Sequence, residues 1–260
     1  MSSNTKTSPV AGWPKVSVIT VVYNAVQLLP GTIEAVLGMN YPNLEYLIID
    51  GGSTDGTLAA IDRERHRIAR VVSEQDTGIY DAMNKGIALA QGDYLWFLNA
   101  GDKPATPDVL NQLFGSGLRP DYVFGNTNLV DAVGTVLNVA RAPATLHWRA
   151  MARGMQVSHQ SFLVRRGIAP RYDLQYRYIA DQKWIIDILR ATNAGLNANA
   201  VLSSYLLGGL SHTLFSRFVK EKIRYSFAEL GWARAALITM EDLLKAGKFY
   251  ISTARRRWLA

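Results

Sequence analysis

Short apolar runs alternate with segments of helical periodicity along the N-terminal part of the chain. The runs have strand length and favour β-branched and aromatic residues; they cover residues 16–24, 44–49, 68–73 and 94–98. The segments between them space apolar residues as helices do; they cover residues 27–39, 55–65 and 78–90. This alternation predicts a right-handed, mostly parallel α/β sheet flanked by helices.

The pattern becomes less regular after Asp102. It predicts helices at residues 107–114 and 179–189, strands at 121–126 and 200–207, a hairpin at 128–139 and a strand that ends at 164. The character of the chain changes again near Leu210. We therefore predict a disordered N-terminal tail (residues 1–14), one α/β domain (residues 15–211) and a helical, basic C-terminal region (residues 212–260).

Composition narrows the class of protein. The chain has 260 residues, of which 48% are hydrophobic and 19% charged, enough to build the core of a large domain. It has no cysteine, which excludes a disulfide framework and a thiolate metal site. The first ten residues lack the apolar segment of a signal peptide. No run reaches the ~18 consecutive apolar residues of a membrane-spanning helix. We expect a cytoplasmic protein.

Positive charge is concentrated at the C-terminal end. The whole chain has a net charge of +7, and from Ser211 onward ten basic and four acidic residues give +6. Apolar residues at helical spacing are interleaved with these basic residues, which suggests an amphipathic region that lies on the anionic inner face of the cytoplasmic membrane. The alternative is a pair of helices that packs on the α/β domain or on a second subunit.

Polar residues follow the predicted strands where those strands end. Asn24 ends the first strand, Asp50 the second, and residues 99–102 (Asn-Ala-Gly-Asp) the fourth. In an open α/β sheet, ligands bind beyond the carboxyl ends of the strands. Asp102 is therefore a candidate ligand for a hard cation or a neighbour of a phosphate group. Taken alone, residues 99–104 also fit an ordinary turn.

Several motifs, in one order, carry a family resemblance. They are residues 16–24, 48–57, 78–87 and 95–102, then His159-Gln160-Ser161, Asp181 and Gly208-Gly209-Leu210-Ser211. Together they resemble the family 2 glycosyltransferases with the GT-A fold. The segment at residues 78–87 is similar to the branch that builds bacterial surface polysaccharides, including colanic-acid-type enzymes.

The resemblance implies transfer of a sugar, with inversion, from a nucleotide-diphosphate donor to a hydroxyl of a glycan or lipid-linked acceptor. It implies that Val21 (through its backbone), Tyr23 and Asp50 contact the nucleotide. The alternative for Tyr23 is a half-buried aromatic residue of the strand. It also implies that Asp102 binds a divalent metal, Mn²⁺ or Mg²⁺, which neutralises the leaving diphosphate. In the family a pair of carboxylates at this place contacts the ribose and the metal. Gly101 stands at the first of these positions, so only Asp102 remains, and Asn99 would take part of the polar role.

The resemblance also assigns residues to the donor sugar and the acceptor. Asp81, Asn84 and Lys85, one helical turn apart, would reach the donor sugar or diphosphate; the alternative is a solvated helix face with an Asp–Lys pair. Asp181 would be the general base that deprotonates the acceptor. The alternative for Asp181 is a carboxylate that stabilises a helix N-terminus.

His159 and Gln160 would face the acceptor. The alternative for His159 is a core histidine whose hydrogen bonds are satisfied within the protein. The sequence departs from the family pattern at Gly51 and Gly101, where the family has carboxylates.

Two other functions compete with the transferase. The departures at Gly51 and Gly101 suggest a non-catalytic subunit that binds nucleotide sugars or glycans with a decayed site. The basic C-terminal region alone suggests a nucleic-acid-binding protein. Such a protein needs basic and aromatic residues on a defined module, and the motif order contains no such module, so we expect no nucleic-acid partner.

Overall fold

The computed structural model describes residues 12–208, 215–233 and 235–240. Two compact units are present: Met1–Gln175 with Ala180–Gly208, and Tyr176–Ile179 with Gly209–Ala260. The predicted motif residues 209–211 and most of the basic C-terminal residues lie outside the described part of the chain.

The first half of the first unit has the predicted alternation of strands and helices. Its elements are β1 (Val16–Val22), α1 (Leu29–Leu37), β2 (Leu44–Asp50), α2 (Thr57–Glu64), β3 (Arg70–Ser73), α3 (Ile79–Leu89) and β4 (Tyr94–Phe97). The strands lie in the order β3-β2-β1-β4, and every neighbouring pair is parallel. Their carboxyl ends therefore meet at one edge of the sheet.

The second half extends the same sheet with mixed pairing. Its elements are β5 (Lys103–Pro104), α4 (Val109–Phe114), β6 (Tyr122–Val130), β7 (Val136–Ala140), α5 (Trp148–Arg153), β8 (Phe162–Arg165), α6 (Ala180–Ala191) and β9 (Gly195–Leu206). The order continues β4-β8-β6-β9-β5, with β7 paired to β6. β8 is antiparallel to β4 and β6, whereas β6 and β9 are again parallel. The first four strands are therefore the continuous parallel part of the sheet that the sequence predicts.

Burial explains why the central strands are mostly apolar. Every residue of β1 and β4 is buried, because helices cover both faces of the sheet. On α1, Leu29, Ile33 and Val36 are buried at the helical spacing that the sequence shows. The indole of Trp96 donates a hydrogen bond of 2.7 Å to the Gln160 carbonyl and ties β4 to the segment before β8.

The second unit contains α7 (Phe215–Glu229), and residues 232, 233 and 235–240 are also helical. One residue of α7 holds the short segment Tyr176–Ile179. The Glu221 carboxylate accepts the backbone N–H groups of residues 177, 178 and 179 at 2.7, 2.5 and 3.1 Å. Within the described residues, no helix is both long enough and apolar enough to cross a membrane.

Candidate functional site

Polar side chains gather at the carboxyl edge of β1 and β2. These strands are paired in register, so that Val22 lies opposite Asp50. Asp50 is fully buried, and its Oδ2 accepts hydrogen bonds from the Gly52 N–H (3.1 Å), the Ser53 N–H (3.0 Å) and the Ser73 hydroxyl (2.7 Å). Its Oδ1 is buried and has no hydrogen-bond partner in the described structure. Asp50 therefore shapes the turn and still has one oxygen that can accept a hydrogen bond.

The turns after β1 and β2 are linked to each other. The Asn24 side chain accepts the Thr54 N–H at 2.8 Å, and the Asn24 N–H donates to the Ser53 hydroxyl at 2.8 Å. Just before Asn24, the Tyr23 side chain is 63% exposed, so its ring is open for stacking instead of half-buried in the strand. Val21 is buried within β1. We call residues 23–24 and 50–53 the first rim.

A carboxylate from a different loop lies against Gly51. A Cβ atom built on Gly51 would overlap Oδ2 of Asp76 and lie 3.1 Å from its Cγ. Asp76 follows β3, in a loop that is joined to the first rim because the Glu74 N–H donates to the Asp50 carbonyl at 3.1 Å. The sequence reasoning missed Asp76.

Asn99, Ala100, Gly101 and Asp102, which we call the second rim, follow β4. Asp102 is only 3% exposed. Its oxygens accept the Asn99 N–H at 3.2 Å and the Leu206 N–H at 3.4 Å. Burial raises the pKa of Asp102 to about 7, while a hydrogen bond from the Gln160 side chain acts in the opposite direction. A cation beside this carboxylate would relieve the cost of its burial.

The second rim offers few ligands for a metal ion. Asn99 Oδ1 is buried without a hydrogen-bond partner among the described residues, and the backbone N–H of the same residue donates to Asp102 Oδ2. These two oxygen ligands fit Mg²⁺ or Mn²⁺, which prefer oxygen. No group of three or more His, Cys, Asp or Glu residues that could hold a metal occurs in the part of the chain that the structure describes. Donor phosphates and water would have to complete the coordination.

Local backbone geometry accounts for the glycine at position 101. Gly101 has a φ of +100°, and a Cβ there would lie 3.0 Å from Cδ2 of Leu206. Its N–H donates to the Thr32 hydroxyl at 2.9 Å. An aspartate at this position would therefore strain the backbone and press on Leu206.

On α3, the structure assigns different tasks to the three predicted donor contacts. The Asn84 amide donates to the Tyr172 carbonyl at 2.9 Å and accepts the Tyr172 N–H at 2.7 Å. Because both of its polar atoms hold the Tyr172 backbone, Asn84 does not present its amide to a donor, and this corrects our expectation. Asp81 accepts the Thr77 N–H at 3.0 Å, and Lys85 pairs with Glu74 at 2.9 Å. The alternative Asp81–Lys85 pair is thus absent from the described contacts.

The surroundings of His159 are those of the core alternative. Its ring lies against Phe97 and Trp184, and its Nε2 is 2.5 Å from the Tyr172 hydroxyl. Burial lowers the pKa of His159 to about 4, so the ring is neutral at physiological pH. Its side chain does not reach the surface, and a direct contact with an acceptor is therefore not supported. Gln160, also predicted to face the acceptor, instead bonds to Asp102.

Asp181 lies in the first turn of α6 and is partly exposed. Burial and the nearby Asp181 carboxylate hold the pKa of Tyr172 well above its ordinary value. Tyr172 thus lies between Asp181 and the buried His159. Asp181 Oδ1 accepts the Gln182 N–H at 2.8 Å, as a carboxylate at a helix start often does.

Comparison with known proteins places this arrangement in a family. The model of the glycosyl transferase family 2 matches residues 17–165, more than half of the chain. The chain belongs to glycosyltransferase family 2. Its matched segment contains both rims and α3.

Two relatives and one solved structure agree with this assignment. An uncharacterised glycosyltransferase of Mycobacterium tuberculosis is 37% identical over 183 residues, 66% of this chain and 68% of the relative. A PGL/p-HBAD biosynthesis glycosyltransferase of the same species is 31% identical over 218 residues, 78% of this chain and 82% of the relative.

The mannosyltransferase PcManGT of Pyrobaculum calidifontis, solved in complex with GDP-Man and Mn²⁺, superposes with a TM-score of 0.63 at 16% identity. That match covers 95% of this chain and 81% of PcManGT. At this identity the likeness concerns the fold, and it confirms the predicted GT-A fold.

This family 2 chain thus places some predicted residues at the sheet edge and others in the interior. Tyr23, Asp50, Asn99 and Asp102 follow the carboxyl ends of parallel strands. Asn84 and His159 belong to the interior around Tyr172. Position 51 has a glycine where the family has a carboxylate, and this could have pointed to Asp76. A search for a substitute carboxylate in the residues just before α3 would have found it.

Proposed function

We propose that this protein is an inverting glycosyltransferase that transfers a sugar from a nucleotide-diphosphate donor to a glycan or lipid-linked acceptor. The observation that carries this proposal is the buried Asp102 carboxylate, with its raised pKa, beside the unpartnered Asn99 oxygen. A decayed site would have no reason to keep a buried carboxylate that costs stability when ionised.

Asn99 and Asp102 would hold a divalent cation at the second rim. Bound there, the cation would neutralise the charge that develops on the leaving diphosphate. Tyr23 would stack on the nucleobase, and the Asp50 oxygen that has no partner would accept a hydrogen bond from the nucleoside. The Mn²⁺ and GDP-Man complex of PcManGT supports this assignment by its fold and its ligands.

Asp181 would act as the general base that takes the proton from the acceptor hydroxyl. A carboxylate in the first turn of a helix is favoured in its charged form, which a base requires. It is also partly exposed, so an acceptor can reach it. Inversion needs such a base on the side of the sugar opposite to the leaving group.

The first experiment measures the melting temperature with UDP, GDP or dTDP, with and without Mn²⁺ or Mg²⁺. A ligand that binds the folded state raises the melting temperature by mass action. We expect one nucleotide to stabilise the wild type only with metal and to have no such effect on Asp102→Ala. No stabilisation by any nucleotide would support the decayed-site alternative instead.

The role of Asp181 needs a separate assay. We expect Asp181→Asn to bind the donor as the wild type does and to transfer sugar about 100- to 10,000-fold more slowly. Asp187→Asn, later on the same helix, is the matched control and should retain activity. Transfer at the wild-type rate by Asp181→Asn would remove Asp181 from the mechanism.

The second unit supports a peripheral contact with the inner face of the cytoplasmic membrane. Trp232, Leu237 and Met240 are 81%, 45% and 55% exposed, at a spacing that places them on one side of a helix. The charge of +6 from Ser211 onward would attract anionic lipid to the same region. Interfacial helices combine such an apolar side with basic residues.

Sedimentation with vesicles tests this contact. We expect the protein to bind vesicles that contain phosphatidylglycerol, to bind less in high salt, and to bind more weakly after Trp232→Ser. Val133→Ser is the control, because Val133 is 87% exposed but lies on the β6–β7 hairpin. Absence of binding by the intact protein would contradict the proposal and favour packing on the domain or on a second subunit.

A further inference from the structure

We propose that Asp76 provides a second nucleoside-binding carboxylate at the first rim, in the space that Gly51 leaves open. The ligand is the nucleoside part of the donor, bound through its N–H and O–H groups. This inference rests on the proposed function, since it assigns a further residue to the donor site.

A side chain on Gly51 would require the Asp76 carboxylate to move. A Cβ on Gly51 would overlap Asp76 Oδ2 and lie 3.1 Å from Cγ, closer than packed atoms of this kind approach. The carboxylate of Asp76 therefore occupies the position from which a side chain on residue 51 would start. The glycine at position 51 is thus explained by the carboxylate beside it, and it need not mark a lost function.

The surrounding hydrogen bonds fix Asp76 in this position. Its Oδ1 accepts the Gly78 N–H at 2.8 Å. The loop that carries it is tied to Asp50 by the Glu74 N–H at 3.1 Å and to α3 by Lys85, which donates to the Gln75 carbonyl at 3.0 Å. A carboxylate oriented by a hydrogen bond, on a loop that is itself tied down, loses less conformational entropy when a ligand binds.

Two acceptor oxygens at this rim have no donor. Asp50 Oδ1 is buried without a hydrogen-bond partner, and Asp76 Oδ2 makes no hydrogen bond within the described residues. An ionised carboxylate can only accept hydrogen bonds. The pair therefore selects a ligand that presents N–H or O–H groups, and it repels phosphate.

Nucleobase N–H groups and ribose hydroxyls supply such donors, and the exposed ring of Tyr23 adjoins the same rim. The diphosphate would lie away from these carboxylates, on the side of the second rim, where a cation compensates its charge. The first rim thus has the chemistry to bind the nucleoside end of the donor.

An exchange of the two residues tests this assignment. We expect Asp76→Gly to weaken binding of the preferred nucleoside diphosphate about 10- to 100-fold, because hydrogen bonds to a charged group are lost. Gly51→Asp alone should also weaken binding, since its side chain collides with Asp76. The double variant Gly51→Asp with Asp76→Gly should recover part of the affinity, because one carboxylate again occupies the space.

Controls separate this effect from general damage. Asp62→Asn removes an exposed carboxylate that pairs with Arg65 on α2 and should bind as the wild type does. Binding of pyrophosphate with Mn²⁺ should be the same in Asp76→Gly and in the wild type, because the nucleoside is missing. If Asp76→Gly fails to fold, Asp76→Asn, which keeps the shape, gives the same comparison.

The outcomes distinguish the two proposals. If Asp76→Gly and Asp76→Asn bind UDP or GDP as tightly as the wild type does, the role of Asp76 is overturned. The proposed function would remain intact. Weaker binding of pyrophosphate by the variant, to the same extent as the nucleotide, would also overturn the role of Asp76. A wild type that binds no nucleoside diphosphate would overturn the proposed function itself, and the role of Asp76 with it.

Discussion

The two rims both bury a carboxylate at the edge of the sheet, but its hydrogen bonds and neighbours differ. Each has a buried carboxylate at a strand end, and each has a glycine where the family has another carboxylate. At the first rim, Asp50 receives three hydrogen bonds of 2.7–3.1 Å on one oxygen, and Asp76 fills the space at Gly51. At the second rim, Asp102 receives two backbone bonds of 3.2 and 3.4 Å, and Leu206 fills the space at Gly101.

The difference shows what each carboxylate does for the fold. Short hydrogen bonds compensate the burial of Asp50, so that it stabilises the turn. Asp102 is compensated less well, and its raised pKa shows that its charged form is costly. A cation would supply the missing compensation, and we therefore expect substitutions at the two positions to have opposite effects on the stability of the free protein.

The largest effect should be on transfer by Asp102→Ala. Loss of the proposed metal ligand should lower kcat/KM about 1,000-fold, because metal-assisted charge stabilisation amounts to several kcal/mol. Initial rates at increasing Mn²⁺ would measure it. Glu34→Ala, on the side of α1, is the control. Full activity of Asp102→Ala at saturating metal would show that the two rims do not differ in this way.

A smaller effect is expected on the pH dependence of stability. Between the ordinary pKa of 3.8 and the native value of about 7, the folded protein keeps a proton on Asp102 that the unfolded chain has released. The contribution of Asp102 is therefore complete below pH 3.8 and is lost as the pH rises through about 7. The loss amounts to about 4 kcal/mol.

Urea unfolding at several pH values, without metal, measures this loss as the difference between the wild type and Asp102→Asn. The difference is needed because His159 acts in the opposite direction. Its pKa falls from 6.5 to about 4, so its contribution is lost as the pH falls through that range. We expect Asp102→Asn to be more stable than the wild type at pH 8. Equal stability of the two proteins at pH 8 would contradict the cost assigned to Asp102.

The sequence was sufficient to predict which residues lie at the edge of the sheet, but not which interior residues contact each other. Strand ends were predictable because short apolar runs stop at Asn24, Asp50 and Asn99. The task of Asn84 was not, because its partner Tyr172 is 88 residues away and joins it only after folding. Gly51 pointed to a missing carboxylate, but its contact with Asp76 could not be predicted, since Asp76 belongs to another loop.

At the first rim, Asp50→Asn should destabilise the protein by about 1–3 kcal/mol. All three donors meet one oxygen, and a neutral amide oxygen accepts them more weakly than a charged carboxylate oxygen does. The amide N–H₂ would take the place of Oδ1, which is buried without a hydrogen-bond partner among the described residues, so its N–H groups would lose their hydrogen bonds to water. Urea unfolding at pH 8 measures the change, with Asp62→Asn as the exposed control. The sign should be opposite to that of Asp102→Asn. If both variants gain or both lose stability, the contrast between the two carboxylates is wrong.

The smallest effect concerns the glycine of the second rim. Gly101→Ala should cost about 1–2 kcal/mol, because alanine at positive φ is strained and its Cβ would press on Leu206. Gly134→Ala is the matched control, since Gly134 also has a positive φ, of +89°, but its Cβ would meet no atom within 4 Å. Thermal unfolding of both variants separates the two costs. Gly101→Ala should lose more stability than Gly134→Ala does. If Leu206→Ala reduces that difference, the excess comes from the contact with Leu206. Equal losses of stability would mean that the positive φ alone requires glycine at position 101. Leu206 would then leave room for a side chain beside Asp102.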